Sequence, residues 1–228
     1  GKGTFQQVTK RLTILHALKK LKVVLFNDIK CIEKSTDKSM TTFLLSHNKI
    51  NTPNTWVPEK LNKANKIIKS LIKKKNQVIW KPLFGSQGKD LKIIKNKKIN
   101  KNNEEVYYLQ KFENIKVKFE KKWQDYRILV CNNKIIASMI RKNKKQITNI
   151  GQGGKPFRFN TPRYIKKIAI NSTKIVNADY AGIDLIKDKN NNFQVIEINS
   201  VPAWKSLQKV TKKNIALVLA KSFIKKIK

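Results

Sequence analysis

Apolar positions along the chain follow two alternating periods. At residues 7–20, Leu12, Leu15 and Leu18 recur about a helical turn apart, which predicts a helix, and the β-rich run at 23–26 predicts a short strand after it. Thr36 or Asp37 offers an N-cap for a helix running through Phe43, Leu44 and Leu45. Thr52-Pro53 and Pro58 bracket a brief extended piece around Trp56. Helical spacing returns at 61–72 through Leu61, Ala64, Ile68, Leu71 and Ile72, and the stretch 78–80 reads as a strand that runs into a glycine-bearing loop. Strands follow at 91–94 and 106–112, separated by polar residues 95–105 in an exposed turn or short helix. Further on, strands at 126–130 and 135–141 flank Asn132-Asn133, a pair suited to a tight antiparallel turn. A loop at 149–157 carries Gly151, Gly153 and Gly154, and Thr161-Pro162 opens a helix to about residue 177. Strands at 181–186 and 193–199 surround a turn at 188–192, and 211–227 reads as a terminal amphipathic helix. The order predicts an α+β chain with antiparallel sheets and no internal repeat.

Composition narrows the class. With 228 residues the chain can form one large domain or two modest ones, and 40% apolar residues exclude a wholly disordered basic tail. No run approaches the roughly 18 apolar residues that cross a bilayer, so a cytoplasmic protein is expected. A start at Gly1 leads us to expect a processed or trimmed product. The 51 basic residues outnumber 14 acids, giving a formal charge of +37, which invites a nucleic-acid reading. Only five of them are arginine (Arg11, Arg127, Arg141, Arg158 and Arg163), and abundant Lys, Asn and Ile point to an AT-rich coding background. There is no aromatic RNA-binding signature, zinc pattern or basic-leucine repeat, so no specific nucleic-acid partner is expected. A basic nucleic-acid-binding protein without catalytic activity stands as the alternative to an enzyme. Cys31 and Cys131 lack any paired framework and read as buried reduced thiols; His16 and His47 read as structural.

Three segments carry candidate chemistry. In the first, a strand delivers Lys81 into the loop Gly85-Ser86-Gln87-Gly88. Glycine amides can approach phosphate oxygens closely while a strand-borne ammonium stands beside them, although an ordinary hairpin loop also fits. The spacing is not that of a P-loop. In the second, Asp184 lies on one strand, with Glu197 and Asn199 two residues apart on the next. Both of those side chains leave one face, and Asp184 can reach them. Three hard oxygen donors suit Mg²⁺ between protein and phosphates; the plainer reading is a polar sheet edge. In the third, Arg127, Arg141 and Asn149 converge on one sheet, where guanidinium groups can hold carboxylate or phosphoryl oxygens or merely add surface charge.

Taken in order, Asp37-Lys38, the Lys81 strand with GSQG, Tyr108 to Phe112, DYR, TNIGQGG, AGIDLI and EINSVPAW resemble the ATP-grasp superfamily, most closely its RimK-like α-L-glutamate ligase branch. The resemblance runs from about Gln7 to the C-terminus. It implies two α/β subdomains whose antiparallel sheets clasp ATP, with 1–36 a remnant of an N-terminal pre-ATP-grasp domain that is otherwise largely missing. Residues 37–112 would form the lid and central subdomain, and 113–228 the C-terminal one. It also implies that Lys38 and Lys81 contact phosphates, that Gln110, Lys111 and Phe112 present backbone to adenine, and that Asp125 is a ribose-side acid. Asp184, Glu197 and Asn199 match the family's Mg²⁺ (or Mn²⁺) ligands, while Arg127, Arg141 and Asn149 match positions beside the transferred phosphate and acyl group. Lys111 stands where an acid is usual, and Ser200-Val201-Pro202-Ala203 with Trp204 resembles a subgroup of glutamate ligases associated with pterin cofactors, of the tetrahydromethanopterin type. The implied activity is ATP-dependent amide formation through an acylphosphate. L-Glutamate or a similar amino acid would be added to an unidentified small-molecule or protein carboxylate; a homo-oligomer is compatible, and no membrane partner is implied.

Overall fold

The computed structural model describes residues 5–85, 90–94, 98–101, 106–114, 116–117 and 120–228. Two antiparallel sheets dominate it. The smaller has the order β1-β4-β2-β3, from β1 (Thr55–Trp56), β2 (Val78–Lys81), β3 (Lys92–Ile94) and β4 (Tyr108–Lys111). Its outer face packs on α4 (Leu61–Lys73), where Ala64, Ile68 and Leu71 meet Val78 and Leu109. A strand alternates faces, so covering Val78 and Trp80 turns Ile79 and Lys81 the other way.

The larger sheet runs β10-β9-β6-β7-β8, with β5 (Lys116–Val117) paired to β6. Its spine is the hairpin of β6 (Lys122–Cys131) and β7 (Lys134–Asn143), turned by Asn132 and Asn133 at φ 46° and 59°. Two positive φ values are what a two-residue hairpin turn requires, and Asn tolerates them best after Gly. Beside β6 lie β9 (Tyr180–Lys187) and β10 (Phe193–Asn199), and β8 (Lys155–Arg158) closes the far side. One face carries Tyr126, Ile128, Ile183, Leu185 and Ile198 into the main core with α5 (Arg163–Ile175). On the other, Leu129, Cys131 and Met139 pack with α6 (Lys205–Gln208) and α7 (Ile215–Ile227). The remainder of that second face is polar and forms the candidate site.

The N-terminal part adds α1 (Phe5–Lys20), α2 (Ile29–Thr36) and α3 (Lys38–His47). Asp28 caps α2 by accepting from the Lys30 amide, and Asp37 caps α3 by accepting from Ser39 and Met40. Cys31 of α2 and Leu45 of α3 join the core of the larger sheet, so these two helices pack together across the 36/37 boundary expected from the sequence.

Several expectations shift. Residues 23–26 form no strand; Val23 and Val24 are exposed and no described strand lies alongside, so β propensity yields extended chain without a ladder. The next residue, Asn27, is buried and bonds to the carbonyls of Tyr180 and Ser200, tying this segment to the larger sheet. The loop at 149–157 contains a 3-10 turn (Ile150–Gln152) and the start of β8. The terminal helix begins at Ile215, where Asn214 accepts from the Leu217 amide, and the short α6 precedes it. Within the polar stretch 95–105, residues 95–97 and 102–105 lie outside the described residues. Both cysteines are free and buried, whereas His16 and His47 sit at the surface. No described helix is long and apolar enough to cross a membrane.

Candidate active site

The two sheets turn polar faces toward one another. From the smaller, Lys81 is 8% exposed, and its Nζ donates to Gln110 Oε1 at 2.6 Å and lies 5.9 Å from the Tyr108 ring centre. Burial drives its pKa down to about 8; Glu197 and Asp184 oppose the fall and Lys38 reinforces it. Gln110 in turn donates to Thr55 Oγ1 at 3.0 Å and to the Tyr108 hydroxyl at 3.1 Å, so its side chain is fully engaged. Lys111 pairs with Glu113 at 2.5 Å. A slot of about 60 Å³ is bounded by Ile79, Lys81, Gln110, Lys111 and Phe112 on this side and by Ile186 and Ile196 on the other. Its walls are mainly apolar.

Lys38 bridges the two halves. It is the first residue of α3, and its Nζ donates to the carbonyls of Leu83 (3.0 Å) and Gly85 (3.1 Å), anchoring the start of the glycine loop. Ser86, Gln87 and Gly88 lie outside the described residues.

The larger sheet builds its part by register. Asp125 faces Arg141 across β6 and β7, Arg127 faces Asp184 across β6 and β9, and Asp184 faces Glu197 across β9 and β10. The last pairing depends on a register shift between Val195 and Glu197, a bulge that re-aims Glu197 toward Asp184. Side chains opposite in register share a face, so the acids and guanidinium groups form one row. Arg127 binds Asp184 side-on, with Nε to Oδ1 at 2.6 Å and Nη2 to Oδ2 at 2.7 Å. Arg141 does the same to Asp125 at 2.5 and 2.7 Å, and its Nη2 also reaches Asp184 Oδ2 at 3.0 Å. Thr148 Oγ1 donates to Asp125 Oδ2 at 2.5 Å. Asp184 is 1% exposed; burial alone would raise its pKa, but Arg127 and Arg141 outweigh that and hold it below the usual carboxylate value. For Arg141, burial works against the charge, and Asp125 with Asp184 keep its pKa above the ordinary guanidinium value.

Between these walls lies a cavity of about 700 Å³ lined by Lys38, Gly85, Arg127, Arg141, Asn149, Glu197 and Asn199. Seven of the residues singled out from the sequence therefore meet around one space, while Asp184, 1% exposed, lines neither it nor the slot. Lys81 and Gln110 belong to the adjoining slot, and Asp125 stands behind Arg141 with both oxygens engaged. Arg11 of α1 also lines the cavity, unforeseen from sequence; its one signal there was arginine in a chain that otherwise uses lysine.

The donor set suits a hard divalent cation. Glu197 has no hydrogen-bond or ion-pair partner among the described residues and faces the cavity. Asn199 makes only a long 3.5 Å contact from its amide nitrogen to the Gly182 carbonyl, leaving its own carbonyl oxygen for a ligand. Asp184 uses three of roughly four carboxylate acceptor sites on arginine and keeps one. Oxygen donors of this kind, two of them anionic, are those Mg²⁺ takes when phosphates complete its shell.

Comparison with known proteins agrees with this geometry. Residues 35–223 match the family model described as the RimK-like ATP-grasp domain. The chain is 34% identical over 203 residues to tetrahydromethanopterin:alpha-L-glutamate ligase of Methanococcus maripaludis, covering 85% of this chain and 67% of the relative. It is 26% identical over 205 residues to alpha-aminoadipate–LysW ligase LysX of Saccharolobus solfataricus, covering 85% and 71%. Among solved structures, the ATP-grasp ligase PsnB complexed with minimal precursor superposes with a TM-score of 0.71 at 14% identity, over 98% of this chain and 71% of that one. D-alanine–D-alanine ligase of Bacillus anthracis gives 0.66 at 16% identity, over 93% and 74%.

Proposed function

The chain belongs to the RimK-like ATP-grasp family, and from that premise we propose that it is an ATP-dependent carboxylate–amine ligase that joins L-glutamate to an acceptor carboxylate. The observation that carries the reading is the cavity with its adjoining slot, where Lys38 in the cavity and Lys81 in the slot oppose Glu197 and Asn199, above a row of paired Arg and Asp. The adjoining slot, which at about 60 Å³ must widen to admit a purine, marks where the base would lie between Ile79 and the Ile186–Ile196 floor, beside residues 110–112. Two relatives named for tetrahydromethanopterin, at 34% and 32% identity, direct the acceptor toward a pterin-type small molecule.

The chemical demand is control of like charge. An acceptor carboxylate attacks the γ-phosphorus of ATP and expels ADP, and the acylphosphate so formed is attacked by the amine, giving an amide and releasing phosphate. Carboxylate and phosphate repel, so positive groups must surround the region where they meet. Lys38 and Lys81 serve the phosphate chain, Arg141 and Arg127 line the side from which the carboxylate approaches, and Asn149, which lines both spaces, offers its amide at the junction. Glu197, Asn199 and the remaining acceptor site of Asp184 would hold Mg²⁺, which neutralises phosphate charge when bound. Gly85, at the start of the loop after β2, lets the backbone approach phosphates closely.

The test is a melting series followed by turnover. ATP with Mg²⁺ at about 100 times its Kd should stabilise the fold by about 2.7 kcal/mol, and ATP without metal much less. ADP release should require L-glutamate and an acceptor, with a pterin glutamate conjugate the first to try. Glu197→Gln combined with Asn199→Ala should abolish the Mg²⁺-dependent shift and ADP formation while leaving the unliganded melt unchanged. A steep salt-dependent affinity for nucleic acid with no nucleotide effect would overturn the ligase in favour of a basic binding protein.

A further inference from the structure

Asp125 stands where the family resemblance implies a ribose contact, yet its carboxylate is already engaged. Oδ1 accepts from Arg141 Nε at 2.5 Å, and Oδ2 accepts from Arg141 Nη2 at 2.7 Å and from Thr148 Oγ1 at 2.5 Å. The residue is 3% exposed. A ribose hydroxyl would have to find the one remaining acceptor site of a buried carboxylate or displace a charge-assisted bond. Arg141 itself is gripped side-on, through Nε and Nη2, with Nη2 shared between Asp125 and Asp184. That grip leaves the Nη1 edge without a hydrogen bond among the described residues, and Arg141 lines the large cavity.

Thr148 links this arginine to the next loop. Gly154 returns so close to it that a Cβ there would lie 1.9 Å from the Thr148 carbonyl oxygen, and the amides of Gln152 and Gly154 both donate to Asn149 O. The segment that brings Asn149 and Gly151 to the cavity is thus folded around the residue that hydrogen-bonds Asp125. We propose that Asp125 and Thr148 are positioning residues: together they fix the side-on orientation of Arg141 and couple it to the 149–154 loop, and Asp125 does not hold the ribose. The role given to Arg141 rests on the ligase reading; the orientation of its side chain does not, so the two can fail separately. A guanidinium fork recognises carboxylate and phosphoryl oxygens only when its plane is fixed, which gives the relay its purpose.

Five arginines give five Nε–H signals in a nitrogen-edited NMR spectrum of the whole chain, a number small enough to assign by substitution. Those of Arg127 and Arg141 should exchange slowly. Thr148→Val keeps the shape and removes the hydroxyl; it should speed Arg141 Nε–H exchange about fivefold or more while leaving Arg127 unchanged, and Thr148→Ser should restore it. In ADP release, Thr148→Val should lower kcat about tenfold with KM for ATP within about twofold, again rescued by Ser. Asp125→Asn should leave the ratio of affinities for ATP and 2′-deoxy-ATP as it is in the parent protein. The proposal is overturned if Asp125→Asn erases a ribose preference that the parent shows, or if Arg141 exchange ignores Thr148→Val. If the parent binds neither nucleotide, the ligase reading falls, while the exchange measurement still decides the relay.

Discussion

The two walls of the cleft hold their charges by opposite means. On the larger sheet every guanidinium of the row is matched side-on to a carboxylate, Arg127 to Asp184 and Arg141 to Asp125, and the pairs are linked through Asp184. On the smaller sheet Lys81 is a buried ammonium whose hydrogen bond among the described residues goes to a neutral amide oxygen, Gln110 Oε1, and its pKa falls to about 8. The Arg–Asp row of the first wall is paired without ligand and leaves Glu197 for a cation, whereas on the proposed reading Lys81 of the second acquires its counter-charge from a bound anion. We expect a clasp built this way to hold the paired jaw fixed while the other responds to the nucleotide, and on that expectation the first is the rigid jaw and the second the responsive one.

The largest expected effect tests the rigid jaw. Asp184→Ala strands the partly buried Arg127 guanidinium and takes one of the two partners of the buried Arg141, which keeps Asp125, and losing one partner of a buried pair costs about 3–5 kcal/mol because the other charge remains in place. Urea unfolding followed by circular dichroism should show a lower midpoint with an unchanged slope. A loss under about 1 kcal/mol would mean that water reaches the row and that the contrast between the jaws is false.

The responsive jaw should behave otherwise. Lys81→Met removes a cation whose burial works against its charge, which favours the variant, but it leaves Gln110 Oε1 without its donor, a loss of about 1–3 kcal/mol. The two effects offset, and stability should change by no more than about 1 kcal/mol. Nucleotide affinity should nevertheless fall about 10- to 100-fold, the size of a charge-assisted hydrogen bond to phosphate. Calorimetric titration beside a melting curve reads both; a large loss of stability with unchanged affinity would make Lys81 a structural residue.

How much of this was legible in the sequence follows from which interactions are local. The β6–β7 hairpin was readable because Asn132-Asn133 between apolar runs encodes its own turn, and α4 because Ala64, Ile68 and Leu71 repeat at helical spacing. The strand at 23–26 failed because a strand needs a neighbour, and composition does not supply one. The helix α2 was missed although Asp28 marks its start, since eight residues hold too few apolar positions to reveal a period. The convergence of Glu197, Asn199, Arg127 and Arg141 was anticipated from strand spacing and family motifs. Which acid pairs with which arginine was not, because that depends on cross-strand register and on the bulge before Glu197, both settled by packing of whole sheets. Thr148 entered the sequence reading only as the first residue of TNIGQGG, and its bond to Asp125 was not foreseen, since a buried threonine beside a loop looks like any other until its partner is known.

The smallest effect is the sharpest test of the contrast, because it involves a single proton. In the free protein Lys81 loses its proton near pH 8, whereas an unburied lysine keeps it to about 10.5. Between those values the unfolded chain binds more protons than the folded one, so this group makes stability rise with pH across that window and works against folding below it. If Lys81 contacts the phosphates as proposed, a bound triphosphate supplies the missing counter-charge and returns the Lys81 pKa toward its ordinary range. Binding should therefore take up little proton at pH 7 and close to one at about pH 9, with affinity weakening as pH rises through 8. Titrating ADP with Mg²⁺ at about pH 9 in two buffers of different ionisation enthalpy measures that uptake directly, and Lys81→Met should abolish it. Uptake that persists in the variant would assign the proton elsewhere and remove the distinction drawn between the jaws.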